Sequence, residues 1–236
     1  MRCSKYHRMK RLRYFIFALC LMLSFASCRQ QYPPPPPVSQ FFGQCEFETG
    51  NLIFIYDTTG MGSAVQSSTE WDTLKPALTH VAITECTDSG VYVIDATPTL
   101  GVARRPLIDF ICSVYDTNAK YAFVGMAEYY YINVSFDTAT LLERLHSFIG
   151  LPYDPYFLPD NGRLYCSELV QECFFDQKGQ RLFPYKPMNF YASDGSLPAY
   201  WRHHFDSLGV AVPQDMPGTN PNDMSHSPIL HRFRIQ

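Results

Sequence analysis

The chain has no Cys-x-x-Cys pair and no histidine–cysteine cluster at zinc-binding spacing. Metal binding therefore has little support, and no cofactor is implied. Internal repeats are lacking, and so is a second linker that would divide the sequence further. Past residue 27 a surplus of bases is lacking too: thirteen Lys and Arg face twenty-two Asp and Glu, a net charge of −9. An acidic product without a basic stripe argues against a nucleic-acid partner. Acids are missing from residues 1–13, where six bases stand.

What is present at that end is an export pattern. The basic segment leads into "YFIFALCLMLSFASC", an apolar run too short to span a bilayer comfortably. Met9 opens "MKRLRYFIF", a better-proportioned start than Met1. Ala26 and Ser27 before Cys28 resemble a bacterial lipobox, with Phe25 where leucine is usual. Residues 1–27 are read as a signal peptide and Cys28 as the lipidated first residue of an envelope lipoprotein. Plain secretion and a retained anchor are the alternatives. The five prolines of "RQQYPPPPPVSQ" favour a stiff polyproline II spacer, so residues 28–45 are a linker holding a domain, residues 46–236, off a membrane. About 200 residues make one ordinary domain, and an aromatic share of 15% suits a packed core.

Apolar, β-branched runs predict strands at "GNLIFIYD", "LTHVAITE", "VYVIDATP" and "KYAFVGMA". The turn "CTDSG" makes the middle two a hairpin. "TTGMGSAVQSST" reads as a loop, with or without a short helix. "RPLIDFICSVY" has helical spacing, with Leu107, Phe110, Ile111 and Val114 on one face. Asp137 can cap a second helix whose stripe is Leu141, Leu142, Leu145, Phe148 and Ile149, stopped by Gly150 and Pro152. A third begins at Cys166, with Leu169, Val170, Cys173 and Phe174 as its core face. The Pro-, Gly- and Asn-rich last forty residues read as ordered loop. The class is α+β.

Six cysteines follow the cleavage point, an even count that invites disulfides, but their spacing is irregular and the chain is larger than scaffolds that need such staples. Cys166 differs from the rest because "NGRLY" gives way to a helix there. A helix start offers unpaired backbone N–H groups and the positive end of the dipole, the setting in which thiols become nucleophiles. The alternative is a small buried hydrophobe, the reading that suits Cys173, or a partner in a structural disulfide.

A nucleophilic thiol needs a base. His146 lies on a helix beside its apolar stripe, His203 and His204 form a polar pair, and His226 and His231 sit in the tail. His80 is embedded in a strand, where an imidazole is costly unless satisfied. With the hairpin turn centred between Thr87 and Asp88, His80 faces Asp95, and opposed Cβ atoms lie about 4.5–5.5 Å apart. A carboxylate there can orient the ring toward a thiol. Shifting the turn centre by one residue puts Thr97 opposite His80 instead. The alternative for Asp95 is a solvated strand-end carboxylate.

"GNLIF", "THVAI", "VIDA", "GLPYD" and "YCSELV", in that order over about residues 46–230, resemble the circularly permuted NlpC-type papain-like peptidases. These are the YiiX-like amidases, distant relatives of lecithin retinol acyltransferase. The resemblance implies a permuted papain-like fold, an antiparallel sheet or partial barrel with the nucleophile helix packed against it. It places the nucleophile on Cys166, the base on His80 and the polar third residue on Asp95, where relatives often carry glutamate. Gly50-Asn51 stands where the family usually has Gly-Asp. Tyr153, Asp154, Tyr165, Ser167 and Glu168 fall on motif positions near the cleft, as substrate contacts or as packing and helix-start charge. The activity implied is acyl transfer from an amide or ester to the thiol, then release to water or another acceptor. The envelope setting suggests muropeptides or N-acyl amino acids and lipids as substrates. A binding lipoprotein without turnover is the competing reading. The aromatic segments "EYYYINVSF" and "YKPMNFYASD" suit an acyl pocket and a core equally.

Overall fold

A computed structural model describes residues 46–56, 60–69, 77–115 and 127–233, without the side chains of residues 113–115 and 127. All lie in one compact unit of the chain. The signal segment, Cys28 and the proline linker lie outside the described residues, as do the strand expected at "KYAFVGMA" up to residue 126 and the side chain of Val114.

The strands are β1 (Leu52–Tyr56), β2 (Leu78–Thr87), β3 (Gly90–Thr97), β4 (Gly101–Pro106), β5 (Ala127–Ile132), β6 (Lys186–Pro187), β7 (Pro217–Gly218) and β8 (Leu230–Arg232). The helices are α1 (Gly60–Thr69), α2 (Leu107–Tyr115), α3 (Thr138–Phe148), α4 (Cys166–Cys173), α5 (Ala199–Leu208) and α6 (Pro221–Ser225). Six strands form one open antiparallel sheet in the order β4-β3-β2-β1-β5-β8, and β6 and β7 form a separate ribbon.

The period-2 alternation of β1 explains its uninterrupted apolar sequence, because both faces are covered. Leu52 and Phe54 pack with Val81, Ile83 and Ile94, against Leu141 and Leu145 of α3 and Leu169 and Val170 of α4. Ile53 and Ile55 point the other way, with Ala82 and Val93, against Leu107, Phe110 and Ile111 of α2. A third cluster joins Ala64 and Val65 of α1 to Trp201 and Phe205 of α5 through Phe157, Tyr165, Met188 and Phe190.

The elements differ from expectation in four places. β4 was not expected, since "GVARRP" has no apolar alternation. Its two arginines are satisfied by carboxylates instead: Arg104 Nε lies 2.5 Å from Glu85 Oε2, and Arg105 binds Asp95. Gly101 starts this strand at φ +65°, where a Cβ would stand 2.3 Å from Leu151 O, so no larger residue fits. β5 begins at Ala127, placing Tyr129 and Tyr130 in the core rather than in a cleft. Asp137 does cap α3, its Oδ1 accepting from Ala139 N at 2.9 Å. Ile149, however, leaves helical geometry and is exposed rather than part of the stripe. Finally, the tail is not all loop. Trp201 and Phe205, four residues apart, give α5 its buried face, and Leu230 opens β8.

Candidate active site

The segment before α4 is held by an isolated parallel bridge to Tyr153: Leu164 N donates to Pro152 O at 3.2 Å, and Asp154 N donates to Leu164 O at 3.1 Å. Tyr165 keeps extended geometry (φ −98°, ψ 170°) and Cys166 is the first helical residue. The sulfur is nearly buried, with Cys166 5% exposed, and lies 4.0 Å from Thr79 O. Both Cys166 and Cys173 are free thiols, so the structural-disulfide alternative does not hold for Cys166. Cys173, packed at the other end of the helix, has its thiol pKa pushed up by burial.

His80 arrives from β2 at an irregularity. Ile55 pairs with His80 but Tyr56 pairs with Leu78, so Thr79 is an extra residue, a β-bulge. Bulges bend a strand and re-aim its side chains, and this one sets the Thr79 carbonyl toward Cys166. The ring of His80 turns to the α2 face, with its centre 6.1 Å from that of Phe110. Its Nε2 donates to Asp95 Oδ2 at 2.7 Å. A carboxylate only accepts, so Nε2 carries hydrogen and Nδ1 is the nitrogen left for the sulfur.

The hairpin register is not the one that sets His80 level with Asp95. Thr87 pairs with Gly90 and Ile83 with Ile94, so the turn is Asp88–Ser89. Continued along the ladder, that register puts Thr97 level with His80 and Asp95 two residues away on the same face. The contact forms diagonally, within the range that twist allows for neighbours on one face. Asp95 has no exposed surface, which rules out a solvated strand-end carboxylate.

Asp95 also binds a residue that sequence reasoning missed. Arg105 of β4 places Nη2 2.6 Å from Oδ2 and Nε 3.2 Å from Oδ1, a bidentate fork. Burial alone would raise the Asp95 pKa, but hydrogen bonds and charges from His80 and Arg105 outweigh it and hold the carboxyl below its usual range. For His80, burial opposes the charged ring. The negative charge of Cys166, hydrogen bonds to Asp95 and Cys166, and the charge of Asp95 override that and raise its pKa from 6.5 to about 10. The other histidines among the described residues are placed elsewhere: His146 on Glu85, His204 on Pro155 O, His226 on Asn222 O, His231 by Asn133, and His203 exposed on α5.

A cleft opens beside Cys166. Its walls include Met61, Val65, Phe157, Phe190 and Trp201, with Ser68, Thr69, Asn189, Thr219 and Asn220 as polar points, and none of the described residues that line it is charged. Met188, Asn189 and Phe190 assign "YKPMNFYASD" partly to this cleft. Tyr153, Tyr165 and Ser167 line it as well. The Tyr165 hydroxyl accepts from Thr219 N at 3.1 Å, and Ser167 Oγ donates to Thr219 O at 3.2 Å, tying α4 to the stretch after β7. Asp154 is turned inward, its oxygens accepting from Tyr156 N at 2.9 Å and Leu158 N at 2.8 Å, so it fixes its own loop. Glu168 faces back to Tyr165 N at 3.5 Å. Burial and the nearby charge of Asp154 push its pKa from 4.5 to about 8. Neither Asp154 nor Glu168 is among the cleft-lining residues.

Comparison with curated proteins gives no match. Among solved structures, one similar to this chain is described as the metalloprotein YiiX from Escherichia coli O157:H7. It shares 19% identity at a TM-score of 0.60, over 80% of this chain and 97% of that one, and so supports the fold. As to a metal here, no three His, Cys, Asp or Glu side chains gather suitably among the described residues. The carboxylate that touches His80 is clamped by a guanidinium, a fixed positive charge where a divalent cation would need free oxygens. These residues do not fit a bound metal. The permuted papain-like fold, the open sheet and the thiol-bearing helix agree with a family profile, permuted papain-like amidase enzyme of the YaeF/YiiX, C92 group, that matches residues 46–233. The chain belongs to that family of cysteine hydrolases.

Proposed function

We propose that the chain hydrolyses an amide or ester through Cys166, His80 and Asp95, on substrates whose acyl side is uncharged and largely apolar. The observation that carries this reading is His80 bonded to Asp95 at 2.7 Å, with the charge of the Cys166 sulfur at the start of α4 acting on the same ring. His80 takes the Cys166 proton, and the sulfur attacks the carbonyl. The Cys166 N–H belongs to the first helical turn, where N–H groups have no intrahelical acceptor, and supports the oxyanion. His80 returns the proton to the leaving amine or alcohol, and water releases the acyl group. The absence of charge among the described cleft residues favours an N-acyl compound over a carboxylate-rich stem peptide. Export and lipidation at Cys28 place this chemistry in the bacterial envelope, supported by the residue pattern before Cys28.

Iodoacetamide labelling near neutral pH tests the chemistry. Cys166 should react faster than a free thiol, and His80→Ala should remove the enhancement. Labelling no faster than a free thiol would instead favour a binding protein of the same fold. For the anchor, Cys28→Ser should abolish incorporation of labelled fatty acid in a bacterial host. Undiminished labelling removes the lipoprotein assignment.

A further inference from the structure

Arg105 and His80 approach Asp95 from opposite flanks. In the β3–β4 ladder Asp95 pairs with Ala103 and Arg105 with Val93, so the guanidinium reaches diagonally, as His80 does from β2. Phe110 of α2 covers both, its ring centre 5.0 Å from the guanidinium carbon and 6.1 Å from the imidazole centre. Arg105 is itself mostly buried, with its side chain 14% exposed. The charge of Cys166 also reaches Tyr153 and Tyr165, and burial keeps both phenols protonated.

This arrangement has a charge count. As thiolate, imidazolium and carboxylate, Cys166, His80 and Asp95 together carry one negative charge. Proton transfer from sulfur to His80 Nδ1 breaks one S–H bond, forms one N–H bond and leaves that total unchanged. A buried, uncancelled charge is unfavourable and is relieved by taking up a proton; His80 as imidazolium already holds its proton and Asp95 is held below its usual range, so the sulfur is where that proton would go. Arginine cannot relieve its own charge by losing a proton, and its planar fork fixes the carboxylate plane. We propose, building on the thiol-hydrolase reading above, that Arg105 is a positioning residue that cancels the charge of the Cys166–His80–Asp95 cluster. It thereby lets the thiolate–imidazolium pair persist and holds the Asp95 oxygen on His80 Nε2.

The test is the rate of Cys166 carboxamidomethylation by iodoacetamide in the full chain across pH 5–10, resolved by site with mass spectrometry. Arg105→Met should slow the reaction at pH 7 by about tenfold and move its rise to higher pH, as loss of a neighbouring opposite charge does. Arg105→Lys, which keeps the charge but not the fork, should recover part of the rate. Arg105→Met combined with Asp95→Asn removes both charges, restores the balance, and should react faster than Arg105→Met alone. A folded Arg105→Met chain with the wild-type profile overturns the inference. So does a lysine variant or a double variant no faster than Arg105→Met. Should Arg105→Met fail to fold, the lysine and double variants are compared with wild type, and both reacting as slowly as a free thiol overturns it. A wild-type Cys166 that reacts no faster than a free thiol removes the hydrolase reading and this inference together. A fast wild type with an indifferent Arg105→Met removes this inference alone.

Discussion

Cys166 and Cys173 begin and end the same helix, and both are buried, at 5% and 2% exposure. One meets His80 and the Thr79 carbonyl at the helix start, where backbone N–H groups have no intrahelical acceptor. The other packs among Leu169, Val170 and Phe174, where burial pushes the thiol up. Residue type, burial and helix are shared, so what separates them is the neighbouring charge and the end of the helix each occupies.

Exchanging each cysteine for alanine breaks the comparison most directly. Cys166→Ala should lower hydrolysis of an N-acyl substrate by about a thousandfold or more. Cys173→Ala should leave turnover near wild type and cost about 1 kcal/mol of stability in a denaturant titration. Equal losses of turnover would mean that the two thiols are not distinguished as described.

The pH profile gives a smaller effect. The folded His80 pKa is raised from 6.5 to about 10. The imidazolium's contribution to stability is therefore complete below about 6.5 and disappears as pH rises through about 10. Turnover, which needs this proton for the leaving group, should fall along an alkaline limb near 10. A ring that loses its proton near 6.5 by nitrogen NMR contradicts this.

Glu168, two residues into the reactive end, offers the smallest test. Its pKa rises from 4.5 to about 8 on folding, so the folded state binds its proton more tightly and stability declines as pH rises between those values. Glu168→Gln keeps a side-chain acceptor for Tyr165 N but removes the titration. Its melting temperature should exceed wild type by about 2–4 °C above pH 8 and match it near pH 5. An unchanged difference across that range would locate the effect elsewhere.

Most of this was legible where local pattern and tertiary demand coincide. The continuous apolar run of β1, the Asp137 cap of α3 and the start of α4 at Cys166 are each written in a few adjacent residues. The hairpin register was harder, because "CTDSG" permits two turn centres. Gly90, at φ +134°, sits where the turn Asp88–Ser89 closes. β4 and Arg105 could not be read from alternation, since that strand is fixed by ion pairs to partners on other strands. A run of two arginines beside a strand bearing an otherwise costly aspartate was the available signal. α5 did show its Trp201–Phe205 spacing, but the surrounding Pro, Gly and Asn obscured it.

His80, Asp95 and Arg105 stand on three consecutive strands joined by short turns. Their mutual contacts close small loops, which costs little chain entropy and favours early assembly. The sulfur belongs to a segment much later in the chain. A polypeptide folded only as far as the meander thus holds a base with nothing to act on, and reactivity switches on when the later half docks.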